Sequence, residues 1–124
     1  MRQNSINRRS NRILYNVTVS VDALIYADWI AYMRKNHIPK IFSTHCFSGY
    51  KICRMLDEST ETYTLAIQYF AENIEKFQEY QSNHAAELQR QYLEHFGEGA
   101  PAFRTVLHVV EEGEVITGAE VSKN

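Results

Sequence analysis

Apolar and polar side chains alternate most regularly between Ile13 and Val21. The odd-numbered positions of this stretch are Ile, Tyr or Val, whereas the even-numbered positions are Leu14, Asn16, Thr18 and Ser20. A two-residue period places successive side chains on opposite sides of a strand. The pattern therefore predicts a first strand whose odd-numbered residues are buried.

The period changes to a helical one at Asp22. Its carboxylate can accept hydrogen bonds from the free amides of a first helical turn, and apolar residues then recur at helical spacing over 25–33. We predict a helix that runs to about His37. Pro39 is predicted to end it, because the residue before a proline is pushed out of helical geometry. A short turn or a single helical turn then leads to Cys46.

Two more strands follow. The first, from Phe47 to about Asp57, alternates less regularly, so its phase is uncertain. A polar hairpin connection leads into a strand over residues 62–71, whose buried side is predicted to carry Tyr63, Leu65, Ile67 and Tyr69.

A second helix and a last strand complete the pattern. Helical spacing of apolar residues over 73–96 predicts a helix that Ser82 and Asn83 kink or divide and that Gly97 ends. The last strand, over 103–110, is predicted to bury Phe103, Thr105, Leu107 and Val109.

The order strand-helix-strand-strand-helix-strand predicts an α+β fold, the ferredoxin-like sandwich of a four-stranded antiparallel sheet with both helices on one face. The chain of 124 residues suits one domain. We place this ferredoxin-like domain at residues 13–111. Residues 1–12 are predicted to be a disordered basic extension, and residues 112–124 a flexible tail.

Composition narrows the class of protein. Hydrophobic residues make up 44% and charged residues 23%, and no apolar run approaches the roughly 20 residues of a membrane helix. A cytoplasmic protein that does not bind membranes is expected. Four of the thirteen Lys and Arg residues lie in the first twelve positions, so nine bases face fifteen acids from Ile13 onward. An acidic domain argues against extensive nucleic-acid binding.

No metal or cofactor is predicted. Cys46 and Cys53 lack Cys-x-x-Cys spacing, and an iron–sulfur cluster would need about four thiolates. His84 and His95 are eleven residues apart, which is about 16 Å along a continuous helix and too far for one ion.

Short strings along the chain carry a family resemblance. They are ILYNVTV from Ile13, HIP ending at Pro39, CF at Cys46 and FRT from Phe103. The chain resembles an uncharacterised bacterial family of small ferredoxin-like domains, a domain of unknown function (DUF4286), over residues 13 to about 111. This resemblance implies a stand-alone bacterial domain and transfers no catalytic residue.

The sheet face opposite the helices is the predicted site of function. One phase of the strands places sixteen residues there, half of them apolar: Leu14, Asn16, Thr18, Ser20, Tyr50, Ile52, Arg54, Leu56, Thr64, Ala66, Gln68, Phe70, Arg104, Val106, His108 and Val110. Such a face measures roughly 500 Å², as large as the biggest apolar patches on monomers. We predict a homodimer that packs sheet to sheet, as in a dimeric α+β barrel.

Five polar side chains on that face are the candidate ligand-binding residues: Asn16, Tyr50, Arg54, Gln68 and His108. Each also has a structural interpretation as a cross-strand or solvated residue. Three functions remain open. In order of preference they are a homodimeric ligand-binding or interaction domain, a cofactor-free enzyme with His108 as proton-transfer group and Arg54 holding an anion, and a nucleic-acid binder acting through the basic arm.

Overall fold

A computed structural model describes residues 4–57 and 59–117 of the chain. The strands are β1 (Asn4–Arg9), β2 (Ile13–Asp22), β3 (Gly49–Arg54), β4 (Thr62–Ala71), β5 (Ala102–His108) and β6 (Glu112–Thr117). The α-helices are α1 (Tyr26–Tyr32), α2 (Ile38–Phe42), α3 (Ile74–Asn83) and α4 (Ala85–Phe96). Short 3₁₀ turns span Ala23–Ile25 and Gly97–Gly99, and a π-helical turn spans Met33–His37.

Four antiparallel strands form the central sheet in the order β3-β4-β2-β5. Helical segments connect β2 to β3 and β4 to β5, and their buried side chains pack on one face of this sheet. The predicted ferredoxin-like βαββαβ sandwich is confirmed.

The core lies between this face and the helices. Ile13, Tyr15, Val19 and Val21 of β2 are buried as predicted, and so are Leu65, Ile67 and Tyr69 of β4. Val17 and Tyr63, also predicted to be buried, are partly buried. The helices contribute Trp29, Met33, Phe77, Tyr80, Leu88 and Tyr92. Burying a large apolar side chain stabilises a fold by roughly 1.5–3 kcal/mol, so this layer supplies most of the driving force.

A buried hydrogen-bond chain connects the two helical regions to the segment just before β5. The Trp29 indole nitrogen donates to the Tyr92 hydroxyl at 3.0 Å, and that hydroxyl donates to the carbonyl of Ala100 at 2.9 Å. The indole N–H and the phenol hydroxyl are therefore hydrogen-bonded inside the core, so both large rings are buried without an unpaired polar group.

The first helical region begins as predicted and ends later than predicted. The Asp22 carboxylate accepts a hydrogen bond from the Leu24 amide at 2.8 Å. Pro39 does not end the helical path. A wider turn precedes it, in which the Ile38 amide bonds to the Met33 carbonyl five residues back. Pro39 then lies in the first turn of α2, where its missing amide is not needed.

The second helical region is divided, as the sequence predicted. His84 leaves helical geometry with φ −130°, so α3 ends at Asn83 and α4 starts at Ala85. The side chain of Asn73 caps α3 by accepting from the Lys76 amide at 2.9 Å. Gly97 follows α4 with φ +58°, a conformation that suits glycine.

The described ends of the chain pair with each other. Strands β1 and β6 form an antiparallel ribbon from Asn4↔Thr117 to Arg9↔Glu112. The predictions of a disordered extension and a flexible tail are therefore wrong for 4–9 and 112–117, while residues 1–3 and 118–124 lie outside the described residues. The reason is the pairing of β2 with β5, which leaves both chain ends side by side.

Arg12 connects this terminal ribbon to the sheet. The Val109 amide bonds to the Arg12 carbonyl at 2.8 Å and so extends the β2-β5 ladder. The Arg12 guanidinium donates two hydrogen bonds to the Glu112 carboxylate, the one from Nε at 2.7 Å, and lies 4.6 Å from the centre of the Phe70 ring. A two-bond pair that is mostly shielded from solvent is stronger than an exposed ion pair.

We expect Arg12→Ala to loosen the terminal ribbon without unfolding the domain. Loss of a paired, hydrogen-bonded charge costs about 1 kcal/mol, which corresponds to roughly fivefold faster amide exchange in β1 and β6. Hydrogen exchange measured by NMR would test this. Arg8→Ala is the matched control, because the Arg8–Glu111 pair is exposed and longer, at 3.6 Å. Equal effects of the two substitutions would contradict the role given to Arg12.

Candidate functional site

The face of the sheet opposite the helices is called here the open face. The strand register assigns to it Leu14, Asn16, Thr18, Ser20, Gly49, Lys51, Cys53, Thr64, Ala66, Gln68, Phe70, Phe103, Thr105 and Leu107. The predictions for β2 and β4 on this face are confirmed, and those for β3 and β5 are not.

Apolar and polar residues alternate across the open face in rows. Leu107, Leu14 and Phe70 lie side by side on β5, β2 and β4, and Phe103, Thr18 and Ala66 form a parallel row. Phe103 is 77% exposed and Leu107 45% exposed. One row is apolar and the other is apolar except for Thr18, and together they form a patch that favours contact with another molecule.

A polar row lies between the two apolar rows. Gln68 donates to the Asn16 side-chain oxygen at 3.4 Å, and the Asn16 amide donates to the Thr18 hydroxyl at 3.1 Å. Thr105 and Lys51 extend the row on the flanking strands. Of the five predicted ligand-binding residues, the structure brings together Asn16 and Gln68.

The predicted phase of β3 is wrong. Tyr50 pairs with Tyr69 and Arg54 with Leu65, and paired residues point to the same side, so both lie on the helix side. The Tyr50 ring lies 5.5 Å from that of Phe42 in α2. The Arg54 guanidinium lies 4.7 Å from the centre of the Tyr63 ring, which accounts for its position at the rim of the core.

The predicted phase of β5 is wrong as well. His108 pairs with Ile13 and Arg104 with Val17, so both belong to the helix side. The exposed His108 ring lies 3.4 Å from the Asn11 side-chain oxygen and far along the sheet from Asn16. Apolar residues occur on both sides of this edge strand, so alternation alone did not determine which side faces the helices.

A second site lies between the helices and β5, and we name it the tyrosine crevice. Its polar lining comes from Tyr15, His37, Tyr69, Tyr80, Gln89, Tyr92 and Arg104, and its apolar lining from Val17, Val19, Met33, Ile41, Ile67 and Ala102. Its cavity volume is about 20 Å³, enough for one or two water-sized groups. No carboxylate lines it.

The tyrosine hydroxyls of the crevice differ in how they are satisfied. Tyr92 is bonded on both sides, to Trp29 and Ala100. Tyr69 and Tyr80 are 1% and 2% exposed, and among the described residues their hydroxyls have no hydrogen-bond partner. Burial raises the pKa of both phenols well above the ordinary value, so they are neutral hydrogen-bond donors.

Arg104 and Gln89 lie beside the hydroxyl of Tyr15. Burial raises the pKa of Tyr15, while the charge of Arg104 and hydrogen bonding by Arg104 and Gln89 lower it in part. The guanidinium itself is on an exposed side chain of the edge strand. The crevice therefore combines buried neutral donors with one cation at its mouth.

The π-helical turn places His37 against the crevice. Its ring lies 5.6 Å from that of Tyr92 and 6.3 Å from that of Tyr32. Desolvation, together with the positive charges of Arg104 and Lys40, lowers the pKa of His37 to about 4. The imidazole is therefore neutral at pH 7. Single π-helical turns inside helices recur at functional sites.

The crevice was not predicted from the sequence, because its residues lie at positions that the hydrophobic pattern assigns to the core. Tyr15, Tyr69 and Tyr80 fall on apolar positions, and nothing in a hydrophobic pattern distinguishes a phenol with a free hydroxyl from Phe. His37 before Pro39 was the available signal, since a proline after a helical stretch predicts irregular geometry. The wrong phase predicted for β5 placed Arg104 on the open face, away from the crevice.

Within residues 4–57 and 59–117, no three His, Cys, Asp or Glu side chains are placed to hold a metal ion. None of the helices that the structure describes is long and apolar enough to cross a membrane.

We expect His37 to make the fold less stable at acidic pH. The unfolded chain takes up this proton near pH 6.5, whereas the folded chain does so near pH 4, so stability is lost as the pH falls between these values. Protonation of His37 in the unfolded chain should lower the free energy of unfolding by about 2 kcal/mol between pH 7.5 and pH 5. Urea unfolding at both pH values should show a smaller loss for His37→Gln than for the wild type.

The matched control for this measurement is His108→Gln, which removes an exposed ring. It should lose as much stability as the wild type over the same pH range. A His37→Gln protein with the wild-type loss would show that the buried imidazole does not account for the acid sensitivity.

Comparison with solved structures agrees with the fold. The chain is similar to a dimeric ferredoxin-like protein from an uncultured marine organism, whose crystal structure was determined at 1.85 Å resolution. The TM-score is 0.51 at 15% sequence identity, over 82% of this chain and 97% of the other. No curated protein matches the sequence significantly.

The family comparison agrees with the resemblance seen in the sequence. The family model of DUF4286, a domain of unknown function, matches residues 12–110, which includes the whole sandwich and leaves out both strands of the terminal ribbon. The chain belongs to the DUF4286 family.

Proposed function

We propose that this protein is a homodimeric interaction domain, in which the open face of one copy packs against the open face of a second copy. The observation that carries the proposal is the pair of mainly apolar rows on the open face, in which Phe103 and Leu107 are exposed. A two-fold axis brings identical surfaces together, so a face that alternates apolar and polar rows can complement itself.

The charge of the open face supports the same assembly. Among the fourteen residues that the register assigns to the open face, Lys51 is the one charged side chain, and it lies on the edge strand β3. The paired charges of Arg12 and Glu112 lie at the end of the face, where Arg12 stacks on Phe70. The Asn16 and Gln68 side chains already bond to each other, so their polar groups are partly satisfied before any contact forms. Depletion of charge at the centre is typical of protein interfaces.

The terminal ribbon supplies further contact area. A face of roughly 500 Å² is smaller than the roughly 800 Å² that each partner buries in a standard interface. Ile6, Val115 and Ile116 are exposed on the ribbon, which extends the β2-β5 ladder past the end of the sheet. We propose that apolar side chains of the ribbon add to the contact made by the open face.

The dimeric state of the structural neighbour supports this proposal, because the neighbour has the same fold over most of its length. In a sheet-to-sheet dimer of the α+β barrel kind, Asn16 and Gln68 of both copies face a shared space. We propose these two residues as its ligand-binding groups. Both cysteines are free, which is consistent with the cytoplasmic location that we expect.

The nucleic-acid interpretation has less support. Arg8, Arg9 and Arg12 lie close to Glu111, Glu72 and Glu112 respectively. Their charges are balanced locally, whereas a phosphate-binding arm needs cations that are free to replace counterions.

We expect Leu107→Lys to convert the dimer to a monomer. A lysine in the apolar row would bury one unpaired charge per copy in the interface, which costs several kcal/mol. Native mass spectrometry and light scattering should show twice the chain mass of 14.5 kDa for the wild type and the single mass for the variant. Circular dichroism would confirm that the fold is retained.

Leu24→Lys is the matched control, because Leu24 is 91% exposed and lies in the 3₁₀ turn after β2, away from the open face. It should remain dimeric. A monomeric wild type, or a dimer that only Leu24→Lys disrupts, would overturn the proposed assembly.

We also expect dimerisation through the open face to protect the Cys53 thiol from chemical modification. Cys53 is exposed on β3, whereas Cys46 is buried and donates to Glu79 at 3.1 Å. Maleimide labelling of Cys53 should be at least roughly fivefold slower in the dimer than in Leu107→Lys, since accessibility controls the rate. A Cys53→Ser protein identifies the residual signal of Cys46. Equal rates in dimer and variant would place the interface elsewhere.

A further inference from the structure

The rows of the open face restrict how two copies can meet in the proposed dimer. The strand order β3-β4-β2-β5 and the register define three rows of four residues that run across the strands. Read from β3 to β5, the first row is Gly49, Phe70, Leu14 and Leu107, the second is Lys51, Gln68, Asn16 and Thr105, and the third is Cys53, Ala66, Thr18 and Phe103.

The middle row is polar and the outer rows are mainly apolar, so the angle between two packed sheets determines which rows meet. Packed sheets either align to within about 30° or cross at about 90°. In crossed sheets, the apolar rows of one copy would run over Asn16 and Gln68 of the other and bury amide groups without partners. In aligned sheets, polar groups meet polar groups. The rows therefore favour an aligned arrangement.

Two orientations of the two-fold axis give aligned sheets, and charge distinguishes them. An axis that runs across the strands keeps each strand opposite itself, so Lys51 would face Lys51 of the second copy. Like charges brought together in an interface destabilise it. An axis that runs along the strands places β3 of one copy opposite β5 of the other, so Lys51 faces Thr105. Charge therefore favours the axis along the strands.

Side-chain size favours the same axis. With the axis along the strands, Leu107 lies over Gly49 of the second copy. Phe103, which is 77% exposed, then lies over Cys53 of the second copy. With the axis across the strands, Leu107 would instead meet Phe103, and Gly49 would meet Cys53. That arrangement separates the sheets at one edge and leaves a gap at the other, whereas interface cores are packed as densely as protein interiors.

We propose that the dimer described above, on which this inference rests, has its two-fold axis along the strands and between β2 and β4. Strand β5 of each copy then covers β3 of the other, and Asn16 of one copy faces Gln68 of the second copy. An amide has both donors and acceptors, so these groups can bond across the interface as well as within each chain. The two proposed ligand-binding residues form one centre of four amides, to which both copies contribute.

A carboxylate at position 105 distinguishes the two axes by the sign of its effect. Thr105 is exposed on an edge strand, so Thr105→Glu and its neutral control Thr105→Gln should both fold. With the axis along the strands, Thr105→Glu gains two ion pairs per dimer with Lys51. We expect its dissociation constant, measured by analytical ultracentrifugation at low salt, to be roughly twofold to tenfold below that of Thr105→Gln.

The gain from Thr105→Glu should shrink at high salt, because exposed ion pairs are screened. With the axis across the strands, the two new carboxylates would face each other and weaken the dimer. A dissociation constant of Thr105→Glu equal to or above that of Thr105→Gln at low salt would overturn the proposed axis.

An exchange of large and small side chains gives a second test. A Cβ at Gly49 would meet the Phe70 ring at 4.0 Å, an ordinary contact, so a single copy accommodates a side chain there. Gly49→Leu should collide with Leu107 of the second copy and weaken the dimer roughly tenfold or more. Adding Leu107→Ala should recover part of this loss, although Leu107→Ala alone weakens the dimer. The two substitutions are therefore expected to be coupled.

The outcomes separate the axis from the dimer itself. A monomeric wild type would overturn both. A wild-type dimer that Leu107→Lys disrupts, but in which Gly49→Leu and Leu107→Ala act additively, would retain the open-face dimer and overturn the axis along the strands. Tighter association of Thr105→Glu together with coupling between positions 49 and 107 is the result that the proposal predicts.

Discussion

The structure depends most on the register in which β2 pairs with β4 and β5. This register places Tyr15, Val19 and Val21 under the helices and leaves Leu14 and Asn16 on the open face. Because side chains alternate, a shift by one residue would exchange the two faces completely. The core rings, the rows of the open face and the position of Arg104 all follow from the same set of backbone pairings.

The two central strands were predictable from sequence, and the two edge strands were not. In β2 and β4 one face packs under the helices, so apolar residues such as Val21 and Leu65 indicate which side of the strand is buried. In β5 the helices cover only part of the strand, and apolar residues occupy both sides, as Val106 and Leu107 show. The loss of three of the five candidate site residues follows from these edge strands alone.

Local rules failed where contacts distant in sequence provide the stabilisation. Pro39 should end a helix, but a π-helical turn and a fresh first turn accommodate it. The basic start of the chain should be unstructured, but the far end of the chain pairs with it and supplies Glu111 and Glu112. The pairing of the chain ends is not visible from the nearby residues, because the partners lie about a hundred positions away.

One sheet therefore presents two surfaces with different chemistry. The open face has apolar rows, little charge and a bonded polar centre, features that suit a broad contact with another copy. The helix side has a small cavity lined by tyrosines, a neutral imidazole and one guanidinium. The separation lets the two surfaces be examined by independent substitutions.

The most direct measurement is an isotope-filtered NOE experiment on a mixture of labelled and unlabelled copies, which detects contacts between chains. If the open face is the interface, intermolecular NOEs will join Leu14, Leu107 and Phe103 of one copy to open-face residues of the other. NOEs between chains that involve the helix layer instead, such as those from Leu24, would contradict the proposed assembly, and so would their complete absence.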